Sequence, residues 1–200
     1  MITCYSQWAR LPWLSVGLFV AGCAIFWWAP YDSERFEWLI LKRSMDSSWW
    51  SLLSAHFVHT DLNHLVWNMA TLLILGSILE SYHRLLLLVS LLLGIVLIDG
   101  WFFFQTMFNQ YAGLSGALNA LLVCALYAMR DGRHWFKGNE ILWLVFVLAL
   151  IKNVYELYIG DALFSNIRWS TTPSFHLVGM VAGGLAIAGV RWLIPLRERF

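Results

Sequence analysis

Long apolar runs separated by short polar stretches dominate the chain. Each run is close to the ~20 residues that a helix needs to cross about 30 Å of hydrocarbon. The six runs are 11–29, about 62–79, 85–104, about 112–129, 141 to about 159, and 175–190 with an extension to about 196. Because a backbone in lipid must satisfy its own hydrogen bonds, all six are predicted to be helices. The predicted fold class is an all-α membrane protein with six transmembrane helices.

The composition supports this class. Hydrophobic residues make up 60% of the 200 residues and charged residues only 12%, whereas soluble domains carry about 25% charged residues. One integral membrane domain over residues 1–200 is expected, with partly helical, interfacial structure in its long first loop, about 30–61. The formal net charge of +1 gives no reason to propose a nucleic-acid partner.

The basic residues predict an orientation. Six spans put both termini on one side, and Lys and Arg are enriched in cytoplasmic loops. Eight lie on the side of the termini, against five on the other. The eight are Arg10, Arg84, Arg130, Arg133, Lys137, Arg191, Arg197 and Arg199, and the five are Arg35, Lys42, Arg43, Lys152 and Arg168. Both termini are therefore predicted to be cytoplasmic.

With this orientation, four polar side chains lie at similar depth near the non-cytoplasmic face. The second, fourth and sixth segments all enter the membrane there. His64 and Asn68 begin the second, Ser115 begins the fourth, and His176 begins the sixth. Because polar residues are rare in membrane segments unless they function there, their joint placement suggests one site.

Ser115 is a candidate nucleophile. It stands between Gly113 and Gly116, which permit a tight turn and close approach of a substrate backbone. A helix start also offers free N–H groups that favour a developing oxyanion. The alternative is a small-residue helix-packing surface, and the motif alone favours that alternative.

His176 is the candidate general base for Ser115. The alternative, an interfacial histidine at a helix end, becomes less favourable once both residues are considered. The small residues from Gly179 onward predict a helix that is thin along one side. No acid is obviously placed to complete a triad, so a Ser–His dyad is expected.

Two further pairs stand four residues apart and so share a helix face. His64 and Asn68 can both donate hydrogen bonds to an oxyanion, or alternatively hold helices together. Lys152 and Glu156 are interpreted as a shielding ion pair, with substrate contact as the second interpretation. No metal and no cofactor are expected: the cluster of His56, His59 and His64 lacks a suitably spaced acid.

Asp99 lies inside the third segment, where an ionised acid is costly. It is expected to be protonated or hydrogen-bonded, and the sequence does not identify its partner.

In this order, the motifs resemble the rhomboid intramembrane serine proteases. They are His56-Phe57-Val58-His59, His64-x3-Asn68, Glu80, Gly113-Leu114-Ser115-Gly116 and His176-x2-Gly179, over about residues 50–190. The resemblance implies a six-helix fold in which the helix of Ser115 is central and short. It implies Ser115 as nucleophile, His176 as base, and His64 and Asn68 with the Ser115 amide as oxyanion hole.

Within the family, the short form and the Lys152/Glu156 element look most like rhombosortases. This likeness implies a membrane-anchored partner: a secreted protein with a C-terminal Gly-Gly motif, a hydrophobic helix and a basic tail. It also implies a bacterial inner membrane with the site near the periplasmic face. Two departures stand out. Ser51, not Arg, follows Trp50, and Asn119 replaces a tyrosine that stacks on the base; Asn119 is expected to hydrogen-bond His176 instead.

Two function classes are thus open. The first is an intramembrane serine endopeptidase acting through an acyl-enzyme on Ser115. The second is a non-catalytic rhomboid-like protein that binds transmembrane helices. Known members of the second class have lost the serine or the histidine, and this chain retains both. A transporter is a weaker third option, because the polar residues gather on one side.

Overall fold

The computed structural model describes residues 11–44, 47–131, 139–161, 163 and 173–193. In chain order its elements are α1 (Trp13–Trp28), α2 (Glu34–Leu39), β1 (Leu41–Lys42), α3 (Ser51–Ser54), a 3-10 turn (Ala55–Phe57), α4 (Leu62–Tyr82), α5 (Arg84–Phe104), β2 (Gln110–Tyr111), α6 (Ser115–Asp131), α7 (Asn139–Ile159) and α8 (Pro173–Leu193). The described chain is thus mostly helical, as predicted, and its remaining residues are turns and loops apart from one strand pair. This pair is the short antiparallel pairing of β1 with β2.

Each of the six apolar runs corresponds to one of the long helices, with ends that differ by a few residues. By length and composition α4, α5, α7 and α8 are able to cross a membrane, while α1 and α6 are shorter apolar helices. Six crossings therefore stay a prediction. The extension of the sixth run to about 196 lies outside the described residues. So do six of the basic residues used for the orientation, namely Arg10, Arg133, Lys137, Arg168, Arg197 and Arg199.

Helix α6 lies at the centre of the bundle and packs against α4, α5, α7 and α8. Its 17 residues make it shorter than α4, α5, α7 and α8, which have 21 each. Its contact with α8 is backbone to backbone: a Cβ placed at Gly179 would lie 1.9 Å from the carbonyl oxygen of Gly116, and one at Gly183 would lie 2.6 Å from that of Ala120. The expected thin side of the last helix is therefore present, and it faces α6.

Glu80 joins the end of α4 to the start of α1. Its buried carboxylate accepts hydrogen bonds from the backbone N–H of Leu14 (3.2 Å) and Ser15 (3.0 Å) and from Ser15 Oγ (3.0 Å). Arg84 Nε lies 3.2 Å from the same group. The first N–H groups of a helix have no partner within it, so this carboxylate caps α1 and fixes its height against α4.

The first long connection folds over the end of the bundle that carries Ser115, with the partly helical structure that the sequence predicts. Residues Leu41 and Lys42 pair with Tyr111 and Gln110. The Arg43 guanidinium donates to the carbonyl oxygens at and beyond the end of α5, those of Phe102, Phe103, Gln105 and Phe108. These contacts tie the connection to the segment that leads into Ser115.

Candidate active site

A glycine turn places Ser115 at the first position of α6. Gly113 has φ +114°, a backbone conformation that side chains other than glycine rarely adopt. Its N–H donates to the carbonyl oxygen of Ala55 (2.9 Å), and its own carbonyl accepts from Tyr111 Oη (2.7 Å). Burial, followed by the charge of Asp99, raises the pKa of Tyr111, so the phenol stays a hydrogen-bond donor to this turn.

Ser115 and His176 meet across the α6–α8 contact. His176 Nε2 lies 3.1 Å from Ser115 Oγ, within the range expected of a nucleophile and its base. The serine is half-buried and the histidine is 8% exposed. The two side chains come from residues 61 positions apart in the sequence, and the adjacent Gly116–Gly179 contact brings their helices close together.

Glu156 lies on the other side of His176, which corrects the expectation that no acid accompanies the pair. Its Oε2 is 3.1 Å from His176 Nδ1. The predicted ion pair with Lys152 is also present, with 2.6 Å between Nζ and Oε1. The carboxylate therefore does more than shield a charge: one oxygen faces Lys152 and the other faces the imidazole.

The Glu156 carboxylate is fully buried, and donors surround it. Besides Lys152, the backbone N–H of Leu163 donates to Oε1 (2.8 Å). The Lys152 side chain is 38% exposed, whereas that of Glu156 is 0% exposed. Because the ammonium and the amide can only donate, both favour an ionised carboxylate. An ionised carboxylate only accepts, so His176 Nδ1 carries a hydrogen and Nε2 presents its lone pair to Ser115.

His64 and Asn68 lie buried on the face of α4 that packs against α6, 7% and 5% exposed. A Cβ at Gly113 would lie 2.6 Å from His64 Cε1 and 2.8 Å from Nε2, so this ring edge faces the turn before Ser115. Within the described part of the chain, His64 Nδ1 and Asn68 Nδ2 have no hydrogen-bond partner. Buried polar atoms are normally satisfied, so these side chains are available to a substrate group.

Contrary to the expectation from the sequence, Asn119 makes no hydrogen bond to His176 among the described contacts. Its Nδ2 donates to the carbonyl oxygen of Ser115 (2.9 Å), one turn back in the same helix. Its Oδ1 accepts from Asn153 Nδ2 (2.8 Å), which also lies 3.2 Å from Met180 Sδ. The reason is geometric: Asn119 faces α7, whereas the imidazole is reached by Glu156. Asn119 and Asn153 thus connect α6 to α7 beneath the site.

The structure shows a hydrogen-bond partner for Asp99, which the sequence did not identify. Its Oδ1 lies 3.1 Å from His56 Nε2, and Tyr111 Oη lies 3.4 Å from the other ring nitrogen of His56. His59 is also buried: its Nδ1 donates to the carbonyl oxygen of Phe57 (3.0 Å), and burial, with His64 nearby, lowers its pKa to about 3. In the described ranges no group of three or more His, Cys, Asp or Glu side chains is placed to hold a metal ion.

Two residues at the site, Asn153 and Tyr111, were missed in the sequence, and Glu156 was identified only as the partner of Lys152 and not as a neighbour of His176. Glu156 and Asn153 share a face of α7 at a spacing of three residues, and two polar residues on one stripe of an apolar helix were the available signal. Tyr111 gave no comparable signal, because its role depends on the turn that follows it.

Comparison with known proteins now adds one match. Residues 46–192 match a family model described as Rhomboid domain, which is well over half of the chain. A search of the curated proteins gives no match.

Proposed function

The chain belongs to the rhomboid family, and we propose that it is an intramembrane serine endopeptidase with Ser115 as nucleophile and His176 as general base. The family generally comprises serine intramembrane proteases, and the apolar helices make this chain an integral membrane protein. Its substrates are membrane-embedded protein segments.

The reaction follows from the positions of the two side chains. Ser115 Oγ attacks the carbonyl carbon of the peptide bond while its proton passes to His176 Nε2. The C–N bond then breaks, and the imidazolium returns that proton to the leaving amine. A water molecule attacks the acyl ester by the same route and frees Ser115. An adjacent base is what makes a serine hydroxyl a competent nucleophile near neutral pH.

The charge that develops on the carbonyl oxygen is accommodated by His64, Asn68 and the Ser115 N–H. The partnerless Asn68 Nδ2 and the His64 ring edge that faces Gly113 support this assignment. For His64 to donate from Nε2, the edge that faces Gly113, Nδ1 must be the unprotonated nitrogen. Preorganised donors at this position contribute about 10²–10³-fold each to kcat.

One observation carries the proposal. Ser115 Oγ and His176 Nε2 stand 3.1 Å apart, although they come from different helices. A serine used only for helix packing gains nothing from an imidazole lone pair aimed at its hydroxyl. The non-catalytic, helix-binding alternative requires neither group.

For the orientation, we propose six membrane crossings with both termini in the cytoplasm. A helix of 17 residues such as α6 spans about 26 Å, slightly short of the hydrocarbon, which fits a helix that begins below the membrane surface at Ser115. The site then lies near the periplasmic face of a bacterial inner membrane. Reporter fusions after residue 193 should read cytoplasmic, and a tag in the 30–61 connection should read periplasmic; the reverse result contradicts the orientation.

For the substrate, we propose secreted proteins with a C-terminal Gly-Gly motif followed by a hydrophobic helix and a basic tail. The support is the likeness of the Lys152/Glu156 element to rhombosortases.

The test is cleavage of a tail-bearing reporter by purified protein in lipid nanodiscs, with products identified by mass. Ser115→Ala and His176→Ala should each abolish cleavage, and the double variant should be no less active than either, because the two residues act as a unit. A phosphonate probe should label the wild type and not Ser115→Ala. Ser90→Ala is the matched control, because Ser90 is a buried helix serine whose hydroxyl donates to the carbonyl of Leu87 and neighbours Cys124, away from Ser115 and His176.

Two results would overturn the proposal. One is folded wild-type protein that takes no probe and cleaves no reporter, which favours the helix-binding alternative. The other is Ser115→Ala protein that retains wild-type cleavage. A reporter that is cut equally well after its Gly-Gly motif is replaced by Val-Val contradicts the substrate proposal alone.

A further inference from the structure

We propose that Glu156 is a positioning residue for His176, so that the site works as a Ser115–His176–Glu156 triad and not as a dyad. The inference rests on the proposed function and deepens it. It starts from one contact: Glu156 Oε2 lies 3.1 Å from His176 Nδ1, on the side of the ring opposite Ser115.

The surroundings of Glu156 are built to hold an oriented carboxylate. Its side chain is 0% exposed, and Lys152 Nζ (2.6 Å) and the Leu163 N–H (2.8 Å) both bind Oε1. With that oxygen occupied, Oε2 is left to the imidazole. A carboxylate that served only to pair with Lys152 would need neither full burial nor an oxygen directed at a second residue.

Helix α7 is itself fixed beside the site by polar contacts. Asn153, one turn before Glu156, donates to Asn119 Oδ1 (2.8 Å), and Asn119 donates in turn to the carbonyl oxygen of Ser115. Elsewhere α7 is largely exposed, with 17% of its span buried against 50% for α8. The height and rotation of Glu156 against His176 are therefore set mainly by hydrogen bonds, because α7 has little apolar packing.

The carboxylate has two effects on the imidazole. It fixes the tautomer, because Nδ1–H must face Glu156 and Nε2 is left free to accept the Ser115 proton. It also stabilises the imidazolium that exists between proton uptake from Ser115 and proton return to the leaving amine. Glu156 stays ionised throughout and takes up no proton. Orientation, tautomer and charge are what the acid contributes in serine hydrolases with a triad.

The charged and titratable groups around His176 are few among the described residues. Glu156, itself paired with Lys152, faces it from α7, His64 from α4, and Ser115 from α6. Glu156 supplies the negative charge nearest the ring. Its removal should therefore change how cleavage depends on pH, whereas loss of a merely structural hydrogen bond should not.

The experiment compares Glu156→Gln with wild type in nanodiscs, using the tail-bearing reporter and the phosphonate probe. We expect kcat to fall roughly 10²-fold or more while KM changes less than about threefold. The acidic limb of kcat/KM against pH should move to lower pH, because the imidazolium loses its carboxylate. Glu156→Asp, which keeps the charge, should recover part of kcat. Glu140→Gln is the matched control, because Glu140 is an exposed acid at the other end of α7.

The outcomes separate this inference from the proposed function. If Ser115→Ala is inactive but Glu156→Gln keeps kcat and the wild-type pH profile, the triad is overturned and the protease stands. If Ser115→Ala is fully active, the protease itself fails.

If Glu156→Gln does not fold, a measurement on the wild-type protein tests the inference instead. Nuclear magnetic resonance of [¹⁵N]histidine-labelled protein should show a His176 Nδ1–H signal at neutral pH that is absent in His176→Ala. A neutral His176 with its proton on Nε2 would overturn the inference.

Discussion

Replacing Gly179 with alanine tests whether the α6–α8 contact sets the catalytic geometry. A Cβ at Gly179 would lie 1.9 Å from the Gly116 carbonyl oxygen and 2.9 Å from its carbonyl carbon. These are backbone atoms, so no rotamer change relieves the overlap. Contacts below about 3.0 Å are essentially never found for Cβ atoms, so the two helices must separate by roughly 1.1 Å (from 1.9 Å to 3.0 Å).

The separation of α6 and α8 should also displace His176 from Ser115. His176 lies three residues before Gly179 on the same helix and faces the same way. A shift of about 1.1 Å lengthens the 3.1 Å Ser115–His176 contact beyond hydrogen-bond reach. Misplacement by about 1 Å costs on the order of 10²-fold in rate, so we expect that loss in kcat and in the rate of phosphonate labelling. Stability should fall by about 1–3 kcal/mol, as in other overpacked contacts.

The control for this prediction is Gly184→Ala in the same helix, where a Cβ meets nothing within 4 Å. It should keep wild-type kcat and raise helix propensity slightly. Wild-type labelling and cleavage by Gly179→Ala, with both proteins equally stable, would refute the reasoning that the glycine contact positions the base.

The remaining predictions concern three other buried side chains. Asn68→Ala should lower kcat by about 10²-fold or somewhat more with an unchanged unfolding midpoint; equal turnover at matched protein levels would contradict its place in the oxyanion hole. Glu80→Gln should reduce stability by about 1.5–3 kcal/mol, since it removes a charge from three contacts at the start of α1 and from the contact with Arg84, and the labelling rate of the folded fraction should stay unchanged. His59, neutral when folded with its pKa lowered to about 3, binds its proton only when unfolded between pH 6.5 and 3. The wild type should therefore lose up to about 2 kcal/mol between pH 6.5 and 5 relative to His59→Asn, and parallel stability curves for the two proteins would rule this out.

The sequence by itself determined the helical elements and which polar residues within them are candidates for the site. Apolar runs in lipid can only be helices, so the bounds of α4 and α5 were predicted to within a few residues of those observed. The small residues after His176 predicted a helix that is thin along one side, and the structure shows that this side faces α6. These features are local, because they depend on hydropathy, backbone freedom and side-chain size along a single segment.

The tertiary structure decided which side chains meet. Glu156 and His176 belong to different helices, and their contact depends on the rotation and height of α7 against α8, which hydropathy does not specify. For the same reason Asn119 bonds the Ser115 carbonyl and Asn153, not the expected His176.

The polar contacts at the helix ends also depended on the tertiary structure. Glu80 was recognised as part of a motif, but only the packed helices show that its carboxylate satisfies the N–H groups at the start of α1. Arg43 was counted as one charge among thirteen Lys and Arg, and only the folded connection places it on the carbonyl groups that end α5. Periodicity along a chain places a residue on a helix face, whereas the partner across that face is chosen by the packing of the whole bundle.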